Sequence, residues 1–287
     1  MSILIKDATI VTQNEKREIL EGDILIQGNE IAEVGKINEK AKSVIDASNK
    51  IAIPGFVNTC TSSDPITMIK SGITSCLSNE EKTGVRTLVL EELNINSSVK
   101  EKKFRMCVSR TRRDVFDFLK EKKTRPFEYL DSLGLVHGDS IFTHASWVTK
   151  REIGIVGKKK ATISSCPIND LELATGGICP IVECDEACAN VTFGTEYNMF
   201  ETMKMAGLLQ RHHYWKADVL SAQRIFDYAT INGAKALGFN SGSIEKGKFA
   251  DIVLLKDLNQ KNILENIIYS ANPSNVSEVI IDGKLKK

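Results

Sequence analysis

Two rhythms of apolar and polar positions divide this chain. At the start, Ile3, Ile5, Ala8 and Ile10 are followed by Ile24 and Ile26, then by Ile31 and Val34, with Gly22-Asp23 and Gly28-Asn29 between the runs. A period of two, broken by glycine turn signals, predicts strands that fold back into a small antiparallel sheet. The C-terminal end repeats this texture, with Ala250–Leu255 reading as a strand and Val276–Ile281 closing at the Asp282-Gly283 turn. Between the two ends the rhythm changes. Short apolar runs at 73–77, 85–90, 104–108, 141–143, 161–164 and 191–193 alternate with amphipathic stretches at 112–122, 126–133, 149–157, 199–210 and 219–237. Strands alternating with helices of that length predict a parallel sheet with covering helices, either doubly wound or closed into a barrel. The fold class is therefore α/β. The two β-rich ends predict one composite domain, residues 1–52 plus 241–287, beside a β/α unit over 53–240. Neither an internal repeat nor a low-complexity linker interrupts this plan.

Composition narrows the function classes. The chain has 287 residues, 42% hydrophobic and 26% charged, enough for a sizeable core. Its 38 basic and 37 acidic side chains leave a net charge of +1, which argues against nucleic acid as a partner. The basic clusters at Lys100, Lys102 and Lys103, at Arg110, Arg112 and Arg113, and at 158–160 read as solvated faces. No run approaches the ~20 apolar residues that span a bilayer, and the start lacks a basic-then-apolar leader, so no membrane partner is expected. Seven scattered cysteines do not form a disulfide framework, and the expected compartment is the cytoplasm.

Particular motifs then suggest a family. Ile53-Pro-Gly-Phe-Val-Asn-Thr59 resembles the first barrel strand of the amidohydrolase superfamily, where Pro-Gly-Phe-Val-Asn-Thr leads into His-x-His. Ile141-Phe-Thr-His-Ala-Ser-Trp-Val-Thr149 is similar to a later strand with an Ala-His-Cys-like motif. Cys166-Pro-Ile-Asn-Asp-Leu-Glu-Leu-Ala-Thr-Gly176, Phe193-Gly-Thr-Glu196, 229–238 and 242–251 continue the likeness in the right order. The closest resemblance is to adenosine-type deaminases acting on S-adenosylhomocysteine, methylthioadenosine or 5'-deoxyadenosine. It implies a TIM-like (β/α) barrel with a small β-sandwich domain formed by both termini. The stretch 53–240 is shorter than the ~250 residues typical of a full barrel. The shortfall falls between Thr59 and Phe104, so the barrel is expected to be shortened or incomplete.

The resemblance also implies a chemistry. Such enzymes hold a divalent metal, usually zinc or iron, that lowers the pKa of a bound water. A carboxylate then shuttles the proton, and a histidine polarises the incoming oxygen. Here the His-x-His positions hold Cys60 and Ser62, the later histidine-ligand position holds Cys107, the acid/base position holds Arg110, and the aspartate position holds Glu196. His144 remains, and Ser165 stands where a further histidine is common. A guanidinium stays protonated at any working pH, so Arg110 cannot serve as a base. Cysteine is also a frequent core residue, which is the plainer reading of Cys60 or Cys107 alone. Cys179, Cys184 and Cys188 match no iron–sulfur spacing, His212 and His213 read as a surface pair, and His137 sits at a turn before Gly138-Asp139 and needs no role.

Three functional expectations follow, one of them a conventional hydrolase of this family that works despite these changes. Another is a degenerate amidohydrolase-like protein without conventional deaminase activity, a ligand binder or subunit partner that needs no cofactor. The alternative is a metal-dependent hydrolase acting on C–N bonds. In it Cys60, Cys107 and Glu196 hold zinc, His144 is a fourth ligand and Ser62 marks a former ligand position. In each case the expected ligand is purine-nucleoside-like. Missing barrel segments would expose strand edges, so a homo-oligomer or a complex with a paralogue is expected.

Overall fold

The computed structural model describes residues 2–99 and 101–287; Lys100, from the first basic cluster, lies outside the described residues. In the first stretch β1 (Ser2–Val11), β2 (Ile19–Gln27), β3 (Glu30–Gly35), β4 (Ser43–Asp46) and β5 (Ile51–Pro54) precede β6 (Phe56–Asn58). There follow α1 (Pro65–Lys70), β7 (Ile73–Ser78), β8 (Arg86–Val89), β9 (Glu92–Leu93) and β10 (Phe104–Val108). Next come α2 (Arg112–Lys122), α3 (Pro126–Ser132), β11 (Ser140–His144), α4 (Lys150–Lys158), β12 (Thr162–Ser165), α5 (Pro167–Glu172) and α6 (Ile181–Glu186). The remainder is β13 (Asn190–Phe193), α7 (Met199–Tyr214), α8 (Ala222–Ala229), α9 (Ile231–Leu237), β14 (Ile252–Leu255), α10 (Ile263–Tyr269), β15 (Val276–Ile281) and β16 (Lys284–Leu285).

The two ends of the chain share one eight-stranded sheet, ordered β16-β15-β14-β5-β1-β2-β3 with β4 also on β1. It is mixed, not purely antiparallel as the turn signals suggested. Past a bulge between Ile5 and Ala8, β1 changes partner, pairing in parallel with β4 before it and with β5 after it. Alternation along β1 sends Ile3, Ile5, Ala8 and Ile10 to one apolar cluster with Ile24, Ile26, Ile252 and Ile280. The strands follow one continuous hydrogen-bonded path.

The expected boundary after residue 52 falls inside β5, because Ile53 and Pro54 still pair with Val253 and Ile252. The chain changes sheet at Gly55. A Cβ there would lie 2.2 Å from Thr74 side-chain atoms, so only glycine allows the crossing.

The middle supplies two parallel ladders, β6-β7-β8 and β9 to β13 in order. They meet where the Thr59 N–H donates to the Phe193 carbonyl at 2.9 Å and the Thr195 N–H donates to the Cys60 carbonyl at 3.0 Å. At the other junction, β8 and β9 are separated by residues 90 and 91 alone. Parallel neighbours need a crossover of a dozen residues or more, so these strands follow each other and do not pair.

Helix starts are locally encoded. Thr111 and Asp114 cap α2 reciprocally, as Thr149 and Glu152 cap α4. The single helix expected over 219–237 is broken at Thr230, with φ −127° and ψ −92°. The Thr230 hydroxyl donates to the Phe226 carbonyl at 2.6 Å and accepts from Gln13 Nε2 at 2.9 Å, which ties the break to the terminal sheet.

Candidate functional site

The C-terminal ends of the parallel strands carry the polar residues singled out by sequence. Cys60 lies just beyond β6, Cys107 on β10, His144 ends β11, Ser165 ends β12, and Glu196 follows β13. Beneath them Thr59 Oγ1 lies 2.7 Å from Ser164 Oγ and 2.8 Å from Thr192 Oγ1, a hydroxyl layer across the strands.

The group at the centre was not anticipated. Arg105, two residues before Cys107 on the same face of β10, is 3% exposed. Its Nη1 donates to Cys60 Sγ at 3.8 Å, Nη2 donates to Asn79 Oδ1, and Nε lies 4.0 Å from Glu92 Oε1. Glu92 Oε1 also accepts from the Thr143 hydroxyl at 2.9 Å and faces the Cys60 thiol at 3.9 Å. Glu92 and Asn79 were likewise missed, since they lie in the stretch where the family likeness is weakest. A lone charge inside the apolar run Phe104-Arg-Met-Cys-Val108 was the available signal for Arg105.

Glu196 points elsewhere. Its carboxylate accepts from the Ser62 N–H at 2.9 and 2.8 Å, from the Ser62 hydroxyl at 2.8 Å and from the Ser63 hydroxyl at 3.3 Å. Cys107 is a neutral thiol, pushed up to about 12 by burial first and then by the Glu92 charge, with Arg110 opposing. Cys166 is held well above the usual thiol range by its hydrogen bond with Cys60 and then by burial.

A divalent cation does not fit these residues. Cys60 is already engaged by the buried Arg105 guanidinium, and the Glu196 carboxylate is taken up by donors of Ser62 and Ser63. Among the described residues no three His, Cys, Asp or Glu side chains converge to hold a metal ion. The zinc set expected from Cys60, Cys107 and Glu196, with His144 and Ser62 beside it, is therefore not assembled. Arg105 supplies positive charge there instead.

His144 keeps an ordered environment. Both His144 and Ala145 are left-handed, at φ 70° and 51°, a conformation that costs about 1–2 kcal/mol per residue. His144 Nδ1 lies 2.7 Å from Asp170 Oδ1, and the Ser146 hydroxyl donates to Asp170 Oδ2 at 2.7 Å. An ionised carboxylate only accepts, so Nδ1 is the nitrogen that donates in this pair. Arg110 lies on the rim, lining a 420 Å³ cavity with Cys107, Ser109 and Phe118.

The other candidates have structural roles. His137 packs edge-on against Phe104 at 5.8 Å, and Cys179 and Cys184 are buried while Cys188 is exposed. This difference predicts selective alkylation. At pH 8, iodoacetamide should modify Cys188 and spare Cys107, as read by peptide mass mapping; equal rates at the two would contradict the assigned burial and protonation. The folded Cys107 thiol keeps its proton where the unfolded chain loses it, from about pH 8.5 upward. Its contribution to stability is thus intact below that pH and lost as pH rises toward about 12.

Comparison with known proteins agrees with this architecture. The amidohydrolase family matches over residues 98–286, and the chain belongs to that family. A 5'-deoxyadenosine deaminase from Methanosphaera stadtmanae is 40% identical over 195 residues, which cover 64% of this chain and 46% of that relative. The chain thus spans about half the length of that relative.

A 5'-deoxyadenosine deaminase from Methanococcus aeolicus is 30% identical over 406 aligned positions, covering 99% of this chain and 92% of the relative. Since this chain has only 287 residues, more than a hundred of those positions face gaps within it. These relatives put the chain in the adenosine-type deaminase branch. Among solved structures, a zinc-bound adenosine deaminase from Xanthomonas campestris superposes with a TM-score of 0.88 at 19% identity, covering 99% and 92% of the two chains. That likeness speaks to fold.

Proposed function

We propose that this protein binds a purine-nucleoside-like ligand at the strand ends and does not deaminate it by the metal–water route. The observation that carries this reading is the buried Arg105 guanidinium, bonded to Cys60 and Asn79 and adjoining Glu92. A cation fixed there opposes a second one, and Arg110 cannot take a proton from water. The ligand class follows the names of the relatives in the same branch. Calorimetric titration with 5'-deoxyadenosine and methylthioadenosine should show saturable binding. Ammonia release should stay at background with added zinc, iron or manganese. Steady ammonia release that vanishes in His144→Ala would overturn the proposal.

A second reading, a hydrolase acting on C–N bonds, is favoured by the His144–Asp170 pair, which holds an imidazole in a fixed orientation at the strand ends. The same ammonia assay decides between the two. Metal content of wild type, Cys60→Ser and Cys107→Ser shows whether thiols take part.

A further inference from the structure

We propose that the cavity on the rim of β10 is a subsite for an oxyanion, a carboxylate or phosphate carried by a small molecule. Two buried donors there have no partner among the described residues: Arg110 Nε and Ser109 Oγ. Ser109 is 5% exposed and left-handed at φ 52°, and both residues line the same 420 Å³ space. Leaving such groups unpaired in a buried place is costly, and a bound oxygen would recover that cost. A guanidinium presents a planar fork matched to two oxygens of one carboxylate or phosphate. The N-terminus of α2 begins two residues beyond Arg110, and its first amides add positive potential on the same side.

The opposing charges are few. Asp114 also lines the cavity, but its Oδ2 accepts the Thr111 N–H at 2.8 Å and is held in the capping box. Cys107 adds no charge while its thiol stays protonated. Asn94 and Asn96 supply neutral polar groups, and Phe118 and Pro126 give an apolar wall. Cavities of ~300–1,000 Å³ suit small molecules.

This inference deepens the nucleoside reading and rests on it for the rest of the ligand, while the oxyanion contact stands on Arg110 and Ser109. The test titrates wild type with adenosine, adenosine 5'-monophosphate, inorganic phosphate and succinate. The monophosphate should bind at least tenfold more tightly than adenosine. Competition by phosphate identifies a phosphate-bearing ligand, and competition by succinate a carboxylate-bearing one. Arg110→Gln should remove the tenfold advantage, Ser109→Ala should reduce it, and Arg110→Lys should keep part of it. Unchanged thermal midpoints show that the variants fold, and Ser109→Ala with Arg110→Lys carries the test if Arg110→Gln does not.

Equal binding of adenosine and its monophosphate, with neither small anion bound, overturns the subsite and leaves the nucleoside reading intact. An advantage that survives Arg110→Gln also overturns it. Arg110-dependent binding of phosphate or succinate without any adenosine binding upholds the subsite and refutes the nucleoside reading.

Discussion

Glu152→Ala should lower stability by about 3–5 kcal/mol, the range for removing one partner from a buried ion pair. The Glu152 side chain is 0% exposed, and its carboxylate accepts from Arg125 Nε at 2.5 Å. It also accepts from the Phe127 N–H at 3.2 Å and from the Thr149 N–H and hydroxyl at 2.9 Å each. Alanine strands a guanidinium and two backbone donors at once, and it removes half of the α4 capping box. Urea unfolding should show a lower midpoint with an unchanged slope. Glu152→Gln keeps one acceptor and should fall between the two. A loss under about 1 kcal/mol in the alanine variant would mean that water replaces the carboxylate.

The second large effect is expected where the terminal sheet meets the parallel strands. Arg86 on β8 donates to Asp251 from Nε at 3.0 Å and from Nη2 at 3.3 Å, and Asp251 accepts the Asp282 N–H at 2.8 Å. The Asp251 side chain is 1% exposed, and the guanidinium lies 3.9 Å from the centre of the Phe249 ring. Asp251→Ala should lower stability by about 3–4 kcal/mol, since it leaves the half-buried Arg86 beside its weaker partner. Asp282→Ala should lose less than about 1 kcal/mol, because that carboxylate is 44% exposed. Equal losses in the two variants would show that Arg86 exchanges freely between the two acids.

Much of the fold could be read from the chain because its signals are local. The helix expected over 112–122 forms as α2 with those bounds, since Thr111 and Asp114 announce its start. The break at Thr230 could not be read, because Gln13 supplies its partner from the far end of the chain. The site divides the same way. Cys60, Cys107 and His144 were found because motifs mark their strands. Arg105 was passed over although strand alternation puts it on the same face as Cys107. Its partners Asn79 and Glu92 come from β7's end and β9, and only packing brings them to it. Asp170 sits within a recognised motif, yet nothing local shows that it turns toward His144.

The shared terminal sheet has a consequence for how the chain reaches its native state. Residues 9–10 must pair with 51–52, and 51–54 must pair with 252–255, so β5 waits for a strand about two hundred residues further on. Closing so long a loop carries an entropy penalty before any contact rewards it, and folding slows as contacts become less local. During synthesis the first fifty-four residues emerge long before β14 and β15, and they present the open edge of β5 to solvent in the interval. Completion of that sheet is therefore a late step, and a chain interrupted before residue 252 keeps an unfinished edge prone to association.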